Sequence, residues 1–176
     1  AWPVDYQVTT EWPIVGMAVF DRTLFVGTAG NPYFVTGAHS AQMSAIKLDS
    51  NQSCSARRSI VAVQGGVLYA SPDGLCLASP GGVQVVTRQL IARQDWQRMQ
   101  PASMFAAEHE GVYYLFYAGA GGGCLAFSAQ DGAKLGHADL GGAGVTAVWV
   151  DRFNDLMYVA RGQDILECFT GDALRT

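Results

Sequence analysis

Charged residues are scarce in this sequence. Asp, Glu, Lys and Arg make up 15% of its 176 residues, against roughly 25% in an average globular protein. The net charge is −4, and Arg57-Arg58 is the only pair of adjacent basic residues. Electrostatic binding to nucleic acid or acidic lipid needs dense basic patches. We therefore expect no sequence-specific binding to nucleic acid.

Cysteine is also infrequent, and its spacing is uninformative for metal binding. The four cysteines are Cys54, Cys76, Cys124 and Cys168. They form no C-x-x-C pair and no Cys/His cluster with the spacing of zinc ligands. Four cysteines are too few for a disulfide scaffold in a chain of this length. We expect reduced, buried thiols and no metal site.

An uninterrupted apolar run long enough for a membrane span is missing as well. Residues 111–130 carry no charge, but five glycines and three tyrosines interrupt them. A transmembrane helix needs about 20 predominantly apolar residues, whereas Gly-rich stretches between apolar segments mark turns. This region is therefore predicted to be a hairpin rather than a membrane span.

Glycine and β-forming residues are abundant. The sequence is 49% hydrophobic and contains 21 glycines, a mixture typical of short strands joined by tight turns. Residues 67–77 show the pattern: two apolar segments flank Ser71-Pro72-Asp73-Gly74. In that turn Pro fixes φ and Gly accepts a positive φ.

This hairpin recurs along the chain. Similar apolar–turn–apolar segments occupy residues 23–37, 67–81, 112–128 and 156–171. Leu24, Leu68, Tyr113 and Met157 are matched at intervals of 44, 45 and 44 residues. Another apolar segment precedes each hairpin, at residues 14–20, 59–64, 104–109 and 145–150. A weaker fourth segment follows the first three hairpins, at residues 43–48, 83–88 and 133–140.

Four antiparallel strands in a period of about 44 residues are the signature of a β-propeller blade. We predict an all-β, β-propeller-like fold with about four blades in a single domain. The predicted blades are residues 13–50, 57–92, 103–141 and 144–176. A β-sandwich with accidental spacing is the alternative.

Two segments depart from the repeat. Residues 87–101 interleave apolar and polar side chains and end at Pro101, which predicts one short helix near 90–99 with Trp96 docked against a blade. The last repeat stops before a fourth strand. We expect a fragment of a longer chain, and we expect residues 5–12 to supply the missing strand.

Candidate reactive groups each have a simpler interpretation. Gly119 and Gly121–Gly123 precede a strand, whereas a phosphate-binding loop leads into a helix. His39-Ser40 lacks the Gly-x-Ser-x-Gly context of a nucleophile, and we expect a surface loop. His109 lies between Glu108 and Glu110, which predicts a solvated strand end.

The clustered carboxylates do not indicate a metal-binding or catalytic site either. Asp151, Asn154 and Asp155 lack the spacing of a calcium loop and favour a β-turn. Glu108 and Glu110 are expected to share one exposed face of a strand. We therefore predict no catalytic, cofactor-binding or metal-binding residues, no cofactor, and no enzymatic activity.

Several phrases in residues 1–117 resemble structural proteins of tailed bacteriophages, of the type that forms the nozzle of the tail tube. The phrases are GNPYFVTG (30–37), RSIV (58–61), YASPDGL (69–75) and the TRQL…W…PAS connector (87–103). The resemblance implies a virion protein with propeller-like domains, assembled in the host cytoplasm into a ring around the DNA exit channel. Its partners would be other copies of itself and neighbouring tail proteins.

Two other functions remain open. A propeller that binds host-surface carbohydrate would use exposed aromatic rings; the candidates are Trp2, Trp12, Trp96 and Trp149. We expect Trp149 to lie in the core. A polysaccharide hydrolase would need two carboxyl groups about 5–10 Å apart in a cleft, which a sequence alone does not show.

Overall fold

The structure, a computed structural model, describes residues 7–140 and 144–169 as four antiparallel sheets. Each sheet is one blade of three or four strands in sequence order. Blade 1 contains β1 (Ile14–Phe20), β2 (Thr23–Thr28), β3 (Tyr33–Thr36) and β4 (Ser44–Lys47). Blade 2 contains β5 (Val61–Val63), β6 (Gly66–Ser71), β7 (Gly74–Ser79) and β8 (Gly82–Val85).

The second half of the chain repeats this arrangement. Blade 3 contains β9 (Phe105–His109), β10 (Val112–Tyr117), β11 (Gly123–Ser128) and β12 (Lys134–His137). Blade 4 contains β13 (Val145–Asp151), β14 (Leu156–Arg161) and β15 (Asp164–Glu167). The predicted all-β, propeller-like fold with four blades is confirmed. Among the described residues, no helix is both long and apolar enough to cross a membrane.

Tight turns join the first two strands of each blade. Between β9 and β10, Glu110 and Gly111 have φ values of 50° and 75°. Positive φ at both central residues is the backbone of a type I′ turn, whose twist matches that of the flanking strands. The glycine at the second position accommodates this conformation without strain.

The register of the repeat differs from the prediction in blade 2. Tyr113 faces blade 2 and Met157 faces blade 3, so both point toward the preceding blade. In blade 2 the residue that faces blade 1 is Val67, whereas Leu68 faces blade 3. Matching Leu68 with Leu24 was therefore wrong by one position. A one-residue slip moves a side chain to the opposite face of a sheet, and the true intervals are 43, 46 and 44 residues.

Three apolar clusters lie between successive blades and form the core. Blades 1 and 2 enclose Phe20, Phe25, Phe34, Tyr69 and Cys76. Blades 2 and 3 enclose Leu68, Leu75, Tyr113, Leu125 and Phe127. Blades 3 and 4 enclose Phe105, Phe116, Cys124, Met157 and Val159. Each internal blade is covered on both faces, because a single sheet cannot bury its apolar side chains alone.

The predicted helix is confirmed as α1 (Arg93–Arg98). Trp96 is fully buried between blades 2 and 3, and its Nε1–H donates a hydrogen bond of 2.8 Å to the Ser71 carbonyl. The exposed Arg93 Nε lies 2.8 Å from Asp73 Oδ1. The helix therefore fixes the Ser71–Gly74 turn of blade 2 and completes the apolar layer beneath it.

A buried polar network around Ser59 links the second and third blades. The Tyr113 hydroxyl donates to the Ser59 carbonyl at 2.7 Å. The Ser59 hydroxyl donates to the Ala56 carbonyl at 2.7 Å and accepts from the Ala70 amide at 2.9 Å. These bonds satisfy polar groups that would otherwise be buried without partners.

Tyr113→Phe is expected to lower the free energy of unfolding by about 1–3 kcal/mol, because it leaves the buried Ser59 carbonyl without its donor. Chemical denaturation followed by circular dichroism measures this change. Tyr114→Phe is the matched control: the Tyr114 hydroxyl makes no hydrogen bond to a described residue. An equal loss in both variants would contradict the role assigned to the hydrogen bond.

Residues 5 and 6 of the predicted closing strand lie outside the described residues, and residues 7–12 contain no strand. The described part contacts blade 1. The Glu11 carboxylate lies 2.6 Å from Lys47 Nζ, and the Glu11 amide donates to the Tyr33 hydroxyl at 3.3 Å. Both contacts are on blade 1, whereas the expected closing strand belonged to blade 4.

Candidate interaction surfaces

One face of blade 4 is apolar and open to solvent. We call this the blade-4 end face; its apolar residues are Ala147, Trp149, Tyr158, Ala160 and Ile165, and Glu167 lies opposite Tyr158 on the same side. Strand pairing places Trp149 opposite Tyr158 and Ala160 opposite Ile165, so all of these side chains point the same way. Trp149 is 61% exposed and Ile165 is 77% exposed. The rings of Trp149 and Tyr158 stack with centroids 5.9 Å apart.

Blade 1 presents a second apolar face at the other end of the array. The blade-1 end face consists of Met17, Val19, Leu24, Val35 and the adjacent Met43. Val19 pairs with Leu24, and Leu24 pairs with Val35, so these three side chains share one side of the sheet. Met17 is 59% exposed and Val19 is 62% exposed. Contiguous apolar surface of this kind marks interaction sites on soluble proteins.

The two end faces are of complementary kinds. The blade-4 end face has the position that the side chains of Phe25, Leu68 and Tyr114 have in blades 1–3, facing the following blade. The blade-1 end face has the position of the side chains that point toward the preceding blade in blades 2–4. Met17 and Val19 on the blade-1 end face and Trp149 and Ile165 on the blade-4 end face are exposed within one chain, so blades 1 and 4 do not cover each other.

The tryptophans are placed differently from the prediction. Trp149 was expected in the core, which is wrong: it belongs to the blade-4 end face. Trp96 was a candidate sugar platform, which is also wrong because the side chain is fully buried. Trp12 is 50% exposed and packs near Gly30. Trp2 lies outside the described residues.

His109 was expected to be solvated and is buried instead. It is 5% exposed at the junction of blades 3 and 4, where its ring stacks on Phe169 with centroids 5.6 Å apart. Its Nδ1 lies 3.5 Å from Asp155 Oδ1. The end of β9 turns this side chain toward blade 4, a tertiary contact that the local sequence AAEHEG does not indicate. His39 is exposed, as predicted.

The expected pairing of Glu108 and Glu110 on one strand face is wrong. Strand β9 ends at His109, and Glu110 lies in the turn with positive φ. The Glu108 carboxylate accepts a hydrogen bond of 2.9 Å from the Gly111 amide and lies 3.7 Å from Arg152 Nη2. Within residues 7–140 and 144–169, no group of three or more His, Cys, Asp or Glu side chains could hold a metal ion.

Two turn predictions are confirmed. Asp151 Oδ1 accepts from the Phe153 amide at 2.9 Å, and Asp151 Oδ2 accepts from Asn154 Nδ2 at 2.6 Å. The hydrogen bond from Asn154 lowers the pKa of the Asp151 carboxyl the most, and the bond from the Phe153 amide lowers it further. Gly119–Gly123 forms the hairpin turn between β10 and β11, where the Gly122 amide donates to the Gly119 carbonyl at 2.9 Å. The strand β11, rather than a helix, follows this turn.

All four cysteines are buried thiols, as predicted. Burial disfavours the thiolate and raises the pKa of Cys54 to about 11, and the pKa values of Cys76 and Cys124 to about 12. Burial also raises the pKa of Cys168. Since thiolates are the reactive form, these side chains are protected in the folded chain.

We expect stability to fall as pH rises above about 8.5, the pKa of an unperturbed thiol. Above that pH the unfolded chain loses thiol protons that the folded chain keeps, so each such group removes up to about 1.4 kcal/mol per pH unit. Denaturation curves at pH 7, 9 and 10 measure this. A thiol reagent at pH 8 should label the chain only after unfolding. Rapid labelling of the folded chain would contradict the burial.

Comparisons with protein-family models and with curated protein sequences gave no match. Solved structures do match. The computationally designed Ika4 protein is 14% identical, with a TM-score of 0.57 over 93% of this chain and 94% of that chain. The Pan2 WD40 domain of Neurospora crassa is 15% identical, with a TM-score of 0.54 over 90% of this chain and 48% of that chain. The fold is that of a β-propeller.

A third similar structure is PorZ, an essential bacterial surface component of the type-IX secretion system of Porphyromonas gingivalis. It is 16% identical, with a TM-score of 0.61 over 89% of this chain and 20% of PorZ. The β-propeller chain described here thus spans a fifth of PorZ and about half of the Pan2 domain. Identities of this size establish the shared fold alone, since one fold serves many functions.

Proposed function

We propose that this propeller is a non-enzymatic structural component of a bacteriophage tail, in the nozzle at the end of the tail tube. The observation that carries the proposal is the pair of exposed apolar end faces. Such faces are suited to contacts between subunits, where apolar surface is removed from water. The sequence resemblance in residues 1–117 supports the phage nozzle as the place of assembly.

In this function the blades act as rigid building blocks. Copies of the chain form a ring that is part of the DNA exit conduit, and neighbouring tail proteins bind the ring. The net charge of −4 suits a conduit, because an acidic protein does not hold passing phosphates as a basic one does. The protein would be assembled in the host cytoplasm and located in the tail of the virion.

Mass spectrometry and cryo-electron microscopy of phage particles test the location. The particles should be produced from the genome that encodes this chain and purified by density gradient. The proposal expects peptides of this chain at a constant ratio to the capsid protein, and density for its blades at the tail. Particles that contain capsid protein but lack this chain would refute the proposal.

The second candidate function is binding of host-surface carbohydrate. The stacked Trp149 and Tyr158 rings favour it, since exposed aromatic faces are common platforms for sugars. A glycan array with the wild-type chain and Trp149→Ala distinguishes the two functions. Binding that Trp149→Ala abolishes would support the lectin function, and a blank array favours the structural one. A polysaccharide hydrolase is the least favoured. Glu108, Glu110 and Asp155 line one surface pocket, but the Glu108 carboxylate already accepts from the Gly111 amide, and Asp155 Oδ1 lies 3.5 Å from His109 Nδ1.

A further inference from the structure

We propose that the blade-4 end face of one copy packs against the blade-1 end face of a second copy. The reciprocal contact then closes a ring of eight blades from two chains. The inference rests on the self-association in the proposed function, but not on the location in a virion. It specifies which surfaces meet, in which direction, and how many copies close the ring.

The internal interfaces supply the geometry. At each of the three junctions between blades, the face of one blade that looks forward along the chain packs on the backward-looking face of the next. Phe25, Leu68 and Tyr114 occupy the forward position and are 0%, 0% and 9% exposed. Tyr158 is their equivalent in blade 4, and it lies beside the 61% exposed Trp149. A fourth junction of the same kind is therefore incomplete.

The residues that face the preceding blade are buried in blades 2–4, whereas the equivalent surface of blade 1 is open. Val67, Tyr113 and Met157 are each 0% exposed beneath the preceding blade. Leu24 is their equivalent in blade 1, which has no preceding blade among the described residues, and the adjacent Val19 is 62% exposed. A second copy offers the missing surface on both sides, because its blade 4 presents a forward face and its blade 1 a backward face.

Two considerations select a closed pair of chains. A head-to-tail interface generates either a ring or an open filament, depending on whether the rotation closes. Propellers usually close with four to eight blades, so two copies of the four described blades reach the upper size. The chain also matches 48% of the Pan2 WD40 domain, so two chains have about the length of that propeller.

The first test measures mass and its dependence on the end faces. Light scattering with size-exclusion chromatography and sedimentation equilibrium should give twice the chain mass for the wild type. Trp149→Glu and Val19→Glu, one on each end face, should each raise the dissociation constant about 30-fold or more, the effect of an interface hot spot. Leu135→Glu is the control, because Leu135 is 59% exposed on blade 3 and should leave the dimer intact.

Circular dichroism must show all three variants folded, and the exposure of the three residues predicts that it does. A wild-type chain that is monomeric at tens of micromolar, a dimer unaffected by both end-face variants, or an open filament would each overturn the proposal. A monomeric chain that is nevertheless present in purified virions would overturn this inference alone and leave the proposed function standing.

Disulfide crosslinking tests the direction of packing. Met17→Cys and Ala160→Cys place one thiol on each end face, while the native thiols are buried. Under mild oxidation a mixture of the two variants should form a crosslinked heterodimer, and neither variant alone should crosslink. Crosslinking of either variant with itself would show that like faces meet, which contradicts head-to-tail packing.

Discussion

Trp96→Ala is expected to lower the free energy of unfolding by about 3–5 kcal/mol, the cost of truncating a large buried aromatic side chain. Trp96 is fully buried in the cluster between blades 2 and 3, and its indole nitrogen donates to the Ser71 carbonyl. The substitution leaves a cavity and removes a hydrogen bond. In a chain of this size the melting temperature should fall by roughly 6–20 °C.

Two further variants separate these causes. Trp96→Phe keeps most of the packing but loses the hydrogen bond, so it should cost less than the alanine variant. Arg98→Ala changes an exposed side chain of the same helix and should alter stability by less than about 0.5 kcal/mol. If Trp96→Ala matched Arg98→Ala in denaturant titrations, helix α1 would not hold blades 2 and 3 together.

Phe25→Ala is also expected to lower the free energy of unfolding by about 3–5 kcal/mol. Phe25 is completely buried between blades 1 and 2, where its ring centroid lies 5.2 Å from that of Tyr69 and 6.1 Å from that of Phe34. Removing the ring eliminates both aromatic contacts and leaves a void that the stiff sheets on either side close poorly. Thermal unfolding followed by circular dichroism measures the loss.

Phe153→Ala is the matched control for this substitution. The same atoms are removed, but Phe153 is 94% exposed in the turn between β13 and β14. Its stability should stay within about 0.5 kcal/mol of the wild type. Similar losses in both variants would show that the energy does not come from packing between blades 1 and 2.

The architecture could be read from the sequence because it is a local pattern repeated four times. Strand, turn and strand follow one another within each repeat, and turn residues such as those of Ser71–Gly74 fix the hairpins independently of distant contacts. The helix containing Trp96 was recognisable because its spacing breaks the strand pattern. Strands that follow one another in the sequence are also adjacent in the sheet. The topology could therefore be predicted without information on long-range contacts.

The sequence could not determine which of the two neighbouring blades each strand side chain points toward. Both faces of an internal blade are apolar, so the alternation that normally distinguishes inside from outside is absent. Leu68 and Val67 are equally suited to either face, and matching by residue type selected the wrong one. The insertions that make the intervals 43, 46 and 44 residues are visible only when side chains are assigned to clusters.

The interaction surfaces were missed for the same reason. Trp149 lies in an apolar segment that has the pattern of a buried strand, and it becomes exposed only because no blade follows blade 4 in the described chain. His109 shows the converse. Its polar sequence neighbours predicted a solvent-exposed side chain, but blade 4 buries it. In both cases the position of a blade in the array, rather than its own residues, decides what is exposed.

A crystal structure of the purified chain would show directly whether two copies close one propeller through their end faces. We expect two chains in a closed ring of eight blades, with Trp149 of one chain buried against Val19 and Met17 of the other. Within each chain, Val67, Tyr113 and Met157 should all face the preceding blade. Blade 4 packed on blade 1 of the same chain, or Leu68 facing blade 1, would contradict it.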